Sequence, residues 1–389
     1  MIDYKKYVVI LLGIAFFSVS MLYYFPRQFH VNYNQAMKDD SSVSISPKMD
    51  GEMWNVFDVR YSDNASKTIL FWTTFYGGNV WSKLRMDLND SCPENNCRLT
   101  TDRRLLNKSD AVIFHFWQDK LDSLPAFRSR NFFPWKQIPP HFFNWTATYR
   151  LDSDLFGPMF YGFQFANKNS VLMRPNDLTN YYGLNITSKT KMAAWFVSNC
   201  QTSINREGYV RELSRYVQVD VFGKCLENRK SCPIPRNPQN QPLYYEPTDC
   251  DVMLERDYLF YLSFENSFCP DYASEKFFRA FQSGVVPVVF GGANYSLLAP
   301  PHSYINARDF QTPKLLAEYL VKLSHDLDLY SRYFDWRGEF DLKRHSGWCN
   351  LCKMLNDPHA EAKSYPVIET WFFDKYPCEN YRWTNTTIN

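Results

Sequence analysis

A chain of 389 residues with 45% hydrophobic side chains can bury a sizeable core, and its length favours two domains over one. The formal net charge of +2 carries no polyanion signal, so nucleic acid is not an expected partner. Aromatic residues make up 18% of the chain, which suits either stacking on sugar rings or an aromatic core and does not choose between them.

Residues 7–25 form an uncharged run of 19 residues behind Lys5 and Lys6, close to the ~20 that span a bilayer as a helix. The positive flank and the lack of an A-x-A cleavage pattern favour a retained signal anchor over a cleaved signal peptide, with residues 1–6 as a cytoplasmic tail. Either reading places the bulk of the chain in a lumen. Seven N-x-S/T sequons agree, at Asn64, Asn89, Asn107, Asn144, Asn185, Asn294 and Asn385. So do ten cysteines, for which an oxidising compartment makes disulfides the expected state rather than zinc.

Residues 26–66 are polar and without a sustained period, as in a flexible stem. A first α/β domain is expected over residues 67–188. A strand opens at Lys67, Tyr76-Gly77-Gly78-Asn79 makes a turn, residues 110–116 form a second strand, and residues 144–156 read as strand and loop. A second domain is expected over residues 189–363. It opens with a strand at 189–199, a helix at 205–217 with Tyr209, Leu213 and Tyr216 on one face, and an alternating strand at 217–222. A Cys- and Pro-rich insertion follows at 225–249.

The stretch from 258 to 292 organises this half. Residues 258–264 and 284–290 read as buried strands, with a helix at 274–283 between them, and a crossover of that length implies parallel pairing. In open parallel sheets ligands sit beyond the carboxyl ends of the strands, where residues 265–273 would lie. Ser274 can cap the helix, whose N-terminus suits a phosphate, and Lys276 adds a full charge there. Pro287 conflicts with a central strand and suggests a bulge. An amphipathic helix at 313–323 precedes an aromatic tail, 364–389, which is expected to pack rather than react.

Phe264-Glu265-Asn266-Ser267, Asp271-Tyr272, Glu275-Lys276 and Gly284-Val285-Val286-Pro287-Val288 resemble the donor signature of the α1,3/4-fucosyltransferases. Further matches are Phe143-Asn144-Trp145-Thr146, residues 149–154, Val197-Ser198-Asn199 with Arg206, and Cys349 to Cys352. The resemblance covers roughly residues 67–355. It implies a GT-B fold of two Rossmann-like domains facing across a cleft, a type II Golgi membrane protein, and transfer of L-fucose from GDP-fucose to GlcNAc of a glycoprotein or glycolipid glycan with inversion.

Donor contacts carry over to Tyr161, Ser198, Asn199, Arg206, Tyr261, Asn266, Tyr272, Glu275 and Lys276. Arg206 and Lys276 would neutralise the leaving diphosphate in place of a metal, so no cofactor is required, although a divalent cation such as Mn could stimulate. The resemblance also suggests that Cys92 and Cys97 pair with Cys349 and Cys352; pairing within each short segment is the alternative. A homo-oligomer is compatible with all of this.

One element departs from the family. The glutamate expected as general base before Phe143-Asn144-Trp145-Thr146 is absent, and Gln137 falls nearest to its place. Glutamine cannot accept a proton at neutral pH, which leaves His141, Asp152 and Asp154 as candidates. The alternative function is therefore a catalytically impaired lumenal relative that binds GDP-fucose or a glycan.

Overall fold

The computed structural model describes residues 8–13, 58–60, 67–73, 96–115, 138, 140–156, 163–227, 229–232, 249–344 and 347–384. They form a mixed α/β structure with two largely parallel sheets, each with its own core.

The first sheet contains β1 (Val8–Gly13), β2 (Asp58–Arg60), β3 (Lys67–Phe71), β4 (Cys97–Thr100), β5 (Ala111–His115), β6 (Trp145–Thr148) and β7 (Leu155–Phe156), in the order β2-β4-β3-β5-β1-β6-β7. Only the β2–β4 pair is antiparallel. Side chains alternate between two buried faces, as the period of two in a strand requires. Ile69, Phe71, Ala111 and Ile113 lie in one cluster, Leu70, Trp72, Val112 and Phe114 in another.

Residues 8–13 lie within the run read as a membrane helix. They pair in parallel with β5 on one side and β6 on the other, and no described helix is long and apolar enough to cross a membrane. Val8-Val9-Ile10-Leu11-Leu12 is apolar throughout and β-branched over its first three residues, so it suits a strand in the middle of a sheet as well as one end of a spanning helix. Residues 14–25 lie outside the described residues, as does nearly all of the expected stem.

After β8 (Phe163–Asn167) comes the second sheet. In chain order its elements are β9 (Lys191–Val197), α1 (Arg206–Leu213), β10 (Val219–Gly223), α2 (Asp249–Asp257), β11 (Tyr258–Phe264), α3 (Glu275–Gln282), β12 (Val286–Phe290) and β13 (Ile305–Asn306). The strands run β10-β9-β11-β12-β13, all parallel. All seven residues of β11 are buried, and each large apolar side chain there contributes about 1.5–3 kcal/mol. Trp195, Leu262 and Val288 face a core shared with α1 and α4 (Pro313–His325). Ala194 and Tyr261 face the other side, with Leu254 of α2 and Ala280 of α3.

Pro287 makes no bulge. Its register with Tyr261 is unbroken, and β13 pairs with β12 only from Val288 onward, so the ladder on that side starts beyond the residue that lacks an N–H.

The chain then passes α5 (Leu327–Ser331) and β14 (Phe340–Arg344), which pairs antiparallel with β8, and enters α6 (Gly347–Asn356). This helix turns back to the first sheet. Trp348, Leu351 and Cys352 pack on Ile69, Phe71 and Leu99, and Cys97 is bonded to Cys352 across 255 residues. That bond follows the pairing the resemblance suggested. Cys349 is also disulfide-bonded, while Cys92 lies outside the described residues.

The tail covers the opposite face of the first sheet with Ile368. It then reaches the second core, where Tyr381 meets Phe268 and Trp383 meets Tyr209. Sequence position is therefore a poor guide to the partition near residues 188 and 363: Tyr181, Leu184 and Ile186 already belong to the second core, while α6 belongs to the first.

Candidate active site

The order of the second sheet sets where a ligand can sit. From β9 the chain moves outward to β10, then crosses back to β11 on the other side, so the direction of winding reverses between β9 and β11. The loops leaving two such neighbours diverge and open a crevice at their carboxyl ends. Ser198 and Asn199 leave β9 there, Glu265 and Asn266 leave β11, and the next helices, α1 and α3, begin with Arg206 and Glu275.

Two disulfides rim the crevice. Cys200–Cys225 joins the β9 and β10 loops, and Cys269–Cys378 joins the β11 loop to the tail. Gly223 permits a close approach on the same rim: its φ is +121°, and a Cβ there would lie 2.1 Å from the Val197 carbonyl oxygen.

Arg206 and Lys276 both bond to residues at the end of β11. Arg206 is 1% exposed; its Nη1 donates to the Phe264 carbonyl at 2.5 Å and its Nη2 to the Asn199 carbonyl at 2.9 Å. Burial draws its guanidinium below the ordinary value, against the opposing pull of Glu207 and Glu265. Lys276 Nζ lies 2.6 Å from Ser274 Oγ, 3.2 Å from Glu275 Oε1 and 3.3 Å from Glu265 Oε2. The two cations thus address consecutive residues, Phe264 and Glu265, at the end of β11. Ser274 caps α3 as expected, accepting from the Lys276 N–H.

Asn266 supplies an unmet need. It is 1% exposed, and neither Oδ1 nor Nδ2 has a hydrogen-bond partner among the described residues. A buried amide left in that condition costs about 1–3 kcal/mol per group, which a polar ligand in the crevice would recover. Glu275 is half-buried with Oε2 likewise unmatched; burial would raise its carboxyl, but Lys276 and Arg279 outweigh that and hold it below the usual range.

Other expected donor contacts are placed differently. Tyr272 is buried against Tyr149 of the first sheet's loop, rings 5.0 Å apart, in a cluster with Phe372 of the tail. Tyr261 lies mid-strand opposite Ala194 and Pro287, its ring beside Phe196, with Arg279 and Glu275 of α3 acting on its hydroxyl, which burial pushes up to about 12. Tyr161 lies outside the described residues.

The base candidates are engaged elsewhere. Asp154 accepts from the Thr146 N–H at 2.8 Å and from the Tyr365 hydroxyl at 2.9 Å, and pairs with Lys363. Asp152 is gripped by Arg150 through two bonds of 2.8 and 2.9 Å and by Lys375 at 3.0 Å. Burial would raise its carboxyl, yet those two cations hold it below the usual range, which weakens it as a proton acceptor. His141 is exposed, with Nδ1 2.8 Å from Ser364 Oγ. Gln137 lies outside the described residues. Asp152, Asp154 and His141 therefore hold the tail in place, and none of the three occupies the crevice.

Among the sequons, Asn107, Asn185 and Asn294 are exposed, whereas Asn144 donates its amide to the Lys363 carbonyl; Asn64, Asn89 and Asn385 lie outside the described residues. Among the described residues no three His, Cys, Asp or Glu side chains gather as a metal site. Glu265 was not singled out by residue type, although it is the first residue beyond β11 and fully buried.

Two cations and an unpartnered buried amide at the switch point of a parallel sheet make the end of β11 a candidate anion site. Residues 186–371 match the family model glycosyltransferase family 10 (fucosyltransferase), C-terminal part, and residues 64–161 match the fucosyltransferase N-terminal model. Alpha-(1,3)-fucosyltransferase C of Drosophila melanogaster is 34% identical over 350 residues, covering 80% of this chain and 78% of that one. The Homo sapiens 4-galactosyl-N-acetylglucosaminide 3-alpha-L-fucosyltransferase 9 is 32% identical, covering 83% and 87%. A solved α1,3-fucosyltransferase matches with a TM-score of 0.41 and 14% identity over 79% of this chain and 95% of that one. The chain belongs to glycosyltransferase family 10, the fucosyltransferases, and is a glycosyltransferase.

Proposed function

We propose that the chain transfers L-fucose from GDP-fucose to a hydroxyl of GlcNAc in a glycoprotein or glycolipid glycan, forming an α1,3 linkage with inversion at the sugar's anomeric carbon. The observation that carries this reading is the convergence of Arg206, Lys276 and the unpartnered Asn266 on the carboxyl end of β11. Relatives at 32–34% identity are named α1,3-fucosyltransferases, which supports the donor and the linkage. The arrangement favours a GT-B reading, with the first sheet on the acceptor side.

The chemistry follows from charge. As the bond from the anomeric carbon to the β-phosphate oxygen breaks, negative charge grows on the diphosphate, and Lys276, the Arg206 charge and the first turn of α3 oppose it in a poorly hydrated crevice. The acceptor hydroxyl closes on the opposite face of the sugar and gives up its proton to a base. Protein cations meet the diphosphate, so no metal is required, and a divalent ion such as Mn would at most stimulate.

Four disulfides among the described residues and three exposed sequons support a lumenal, Golgi setting. Residues 8–13 serve either the sheet or a bilayer, so a single-pass type II anchor through 7–25 requires β1 to leave its place. Alkaline extraction of membranes carrying the full chain separates the two: pelleting supports the anchor, and release supports the strand.

Incubating the purified chain with GDP-fucose and GlcNAc-terminated glycans should yield GDP and an α-linked product. Lys276→Ala should lower the rate about 100–1,000-fold. Tight GDP binding with no product on any acceptor would replace this reading with a non-catalytic nucleotide-sugar binder.

A further inference from the structure

Glu265 is a carboxylate with 0% exposure, one residue past the end of β11. An ionised group so deep is tolerated only when its lone pairs are matched. Its Oε1 accepts from the Ser274 N–H at 2.7 Å and lies 2.8 Å from the Ser274 hydroxyl, which is also 2.8 Å from Oε2. Oε2 faces Lys276 Nζ at 3.3 Å. Its own N–H donates to the Phe290 carbonyl at 2.9 Å, continuing the β11–β12 ladder by one residue.

The space for this carboxylate is built into the next strand's end. At Gly291 a Cβ would stand 3.1 Å from Glu265 Cγ and 2.3 Å from the Tyr295 hydroxyl, so any side chain there would press on both. Ser274 sits between the two charges: Lys276 Nζ is 2.6 Å from its oxygen, and its hydroxyl proton is then free to serve Glu265. Of the carboxylates on Lys276, Glu265 is sealed, whereas the Glu275 side chain keeps 24% of its surface.

We propose that Glu265 is a positioning residue for the transfer: acting directly and through Ser274, it fixes the Lys276 ammonium at the first turn of α3, so that the half-buried Glu275, and not Glu265, yields to the incoming diphosphate. The inference rests on the nucleotide-site reading above and adds a residue that acts through another. Gln at 265 keeps the shape and an acceptor for Ser274, but turns its NH2 toward the ammonium, and Lys276 then moves toward Glu275. A displacement of about 1 Å at such a group costs about 100-fold.

The test is a double-mutant cycle with GDP as the probe and fucose transfer as the second readout. Glu265→Gln should weaken GDP binding about tenfold and lower kcat for transfer about 100-fold, with a smaller change in KM for GDP-fucose. In a Lys276→Met background the same substitution should change GDP binding less than threefold. Ser274→Ala, which cuts the link and leaves the buried carboxylate in place with the Ser274 N–H and Lys276 as partners, should show the same dependence on Lys276 and keeps the question open to measurement if Glu265→Gln folds poorly. Equal losses in both backgrounds, or unchanged GDP binding in a folded Glu265→Gln chain, would overturn the proposal. A parent chain that binds GDP and transfers nothing overturns the transferase reading alone, because the GDP cycle still decides the role of Glu265.

Discussion

The two sheets bury comparable strands by opposite means. The second is built from neighbours in sequence: β11, α3 and β12 occupy 33 consecutive residues, each element covering the one before it. The first is assembled from distant pieces, with β1 from residues 8–13, α6 from 347–356 and Ile368 of the tail closing its faces. A core made of local units forms with little loop-closure cost, whereas a core made of remote units depends on the groups that bring them together. Those groups are the Cys97–Cys352 bond, the Arg150 grip on the tail and the Asp152–Asp154 turn.

The largest break in this contrast should come from Cys352→Ser. Opening a link across 255 residues should cost about 4 kcal/mol, read as a lower melting temperature, and should expose the first core before the second in hydrogen exchange. Exchange lost equally from both sheets would show that they unfold as one unit. Next comes Arg150→Met. This guanidinium donates to the Trp371 carbonyl at 2.7 Å and to the Phe372 carbonyl at 3.3 Å, and lies over the Trp371 and Tyr376 rings. Its loss leaves Asp152 to Lys375 alone and strands two carbonyls, for about 3 kcal/mol by denaturant titration and earlier proteolysis of the tail.

Gly223→Ala tests the local half. Positive φ and a 2.1 Å approach to the Val197 carbonyl should cost about 2 kcal/mol or more and weaken GDP binding, because the strain falls on the crevice rim. Asp154→Asn should cost about 1–2 kcal/mol of stability while leaving the pH profile of transfer unchanged; a lost acidic limb would make Asp154 the base after all.

The smallest effect is the acid response of Asp152. Its folded-state pKa is depressed, so its contribution is present above the ordinary value of 3.8 and is lost as pH falls through the lower folded value. The stability difference between the parent and Asp152→Asn should be flat from pH 5 to 8 and shrink below about pH 4. A difference that changes near neutrality would point to another group.

The amino-acid order alone determined the second half almost completely. The seven-residue apolar strand, the Ser274 cap and the Lys276 charge follow from period and residue type within ten or twenty positions, and so does the crevice at the carboxyl end of β11. Helices α2 and α6 are not legible in the sequence, because both lie in Cys-containing segments whose residue types point to disulfides as readily as to helical period.

Tertiary structure alone decided the rest. Whether residues 8–13 enter a bilayer or a sheet depends on which partner is vacant, and apolarity is the same toward both. The same holds for the charges: Asp152, Asp154 and Glu265 are chemically alike in one dimension, and only their neighbours make two of them anchors for a tail and the third a fixed counter-charge for Lys276. A carboxylate's function is set by what surrounds it within about 4 Å, and those surroundings come from residues up to 223 positions away.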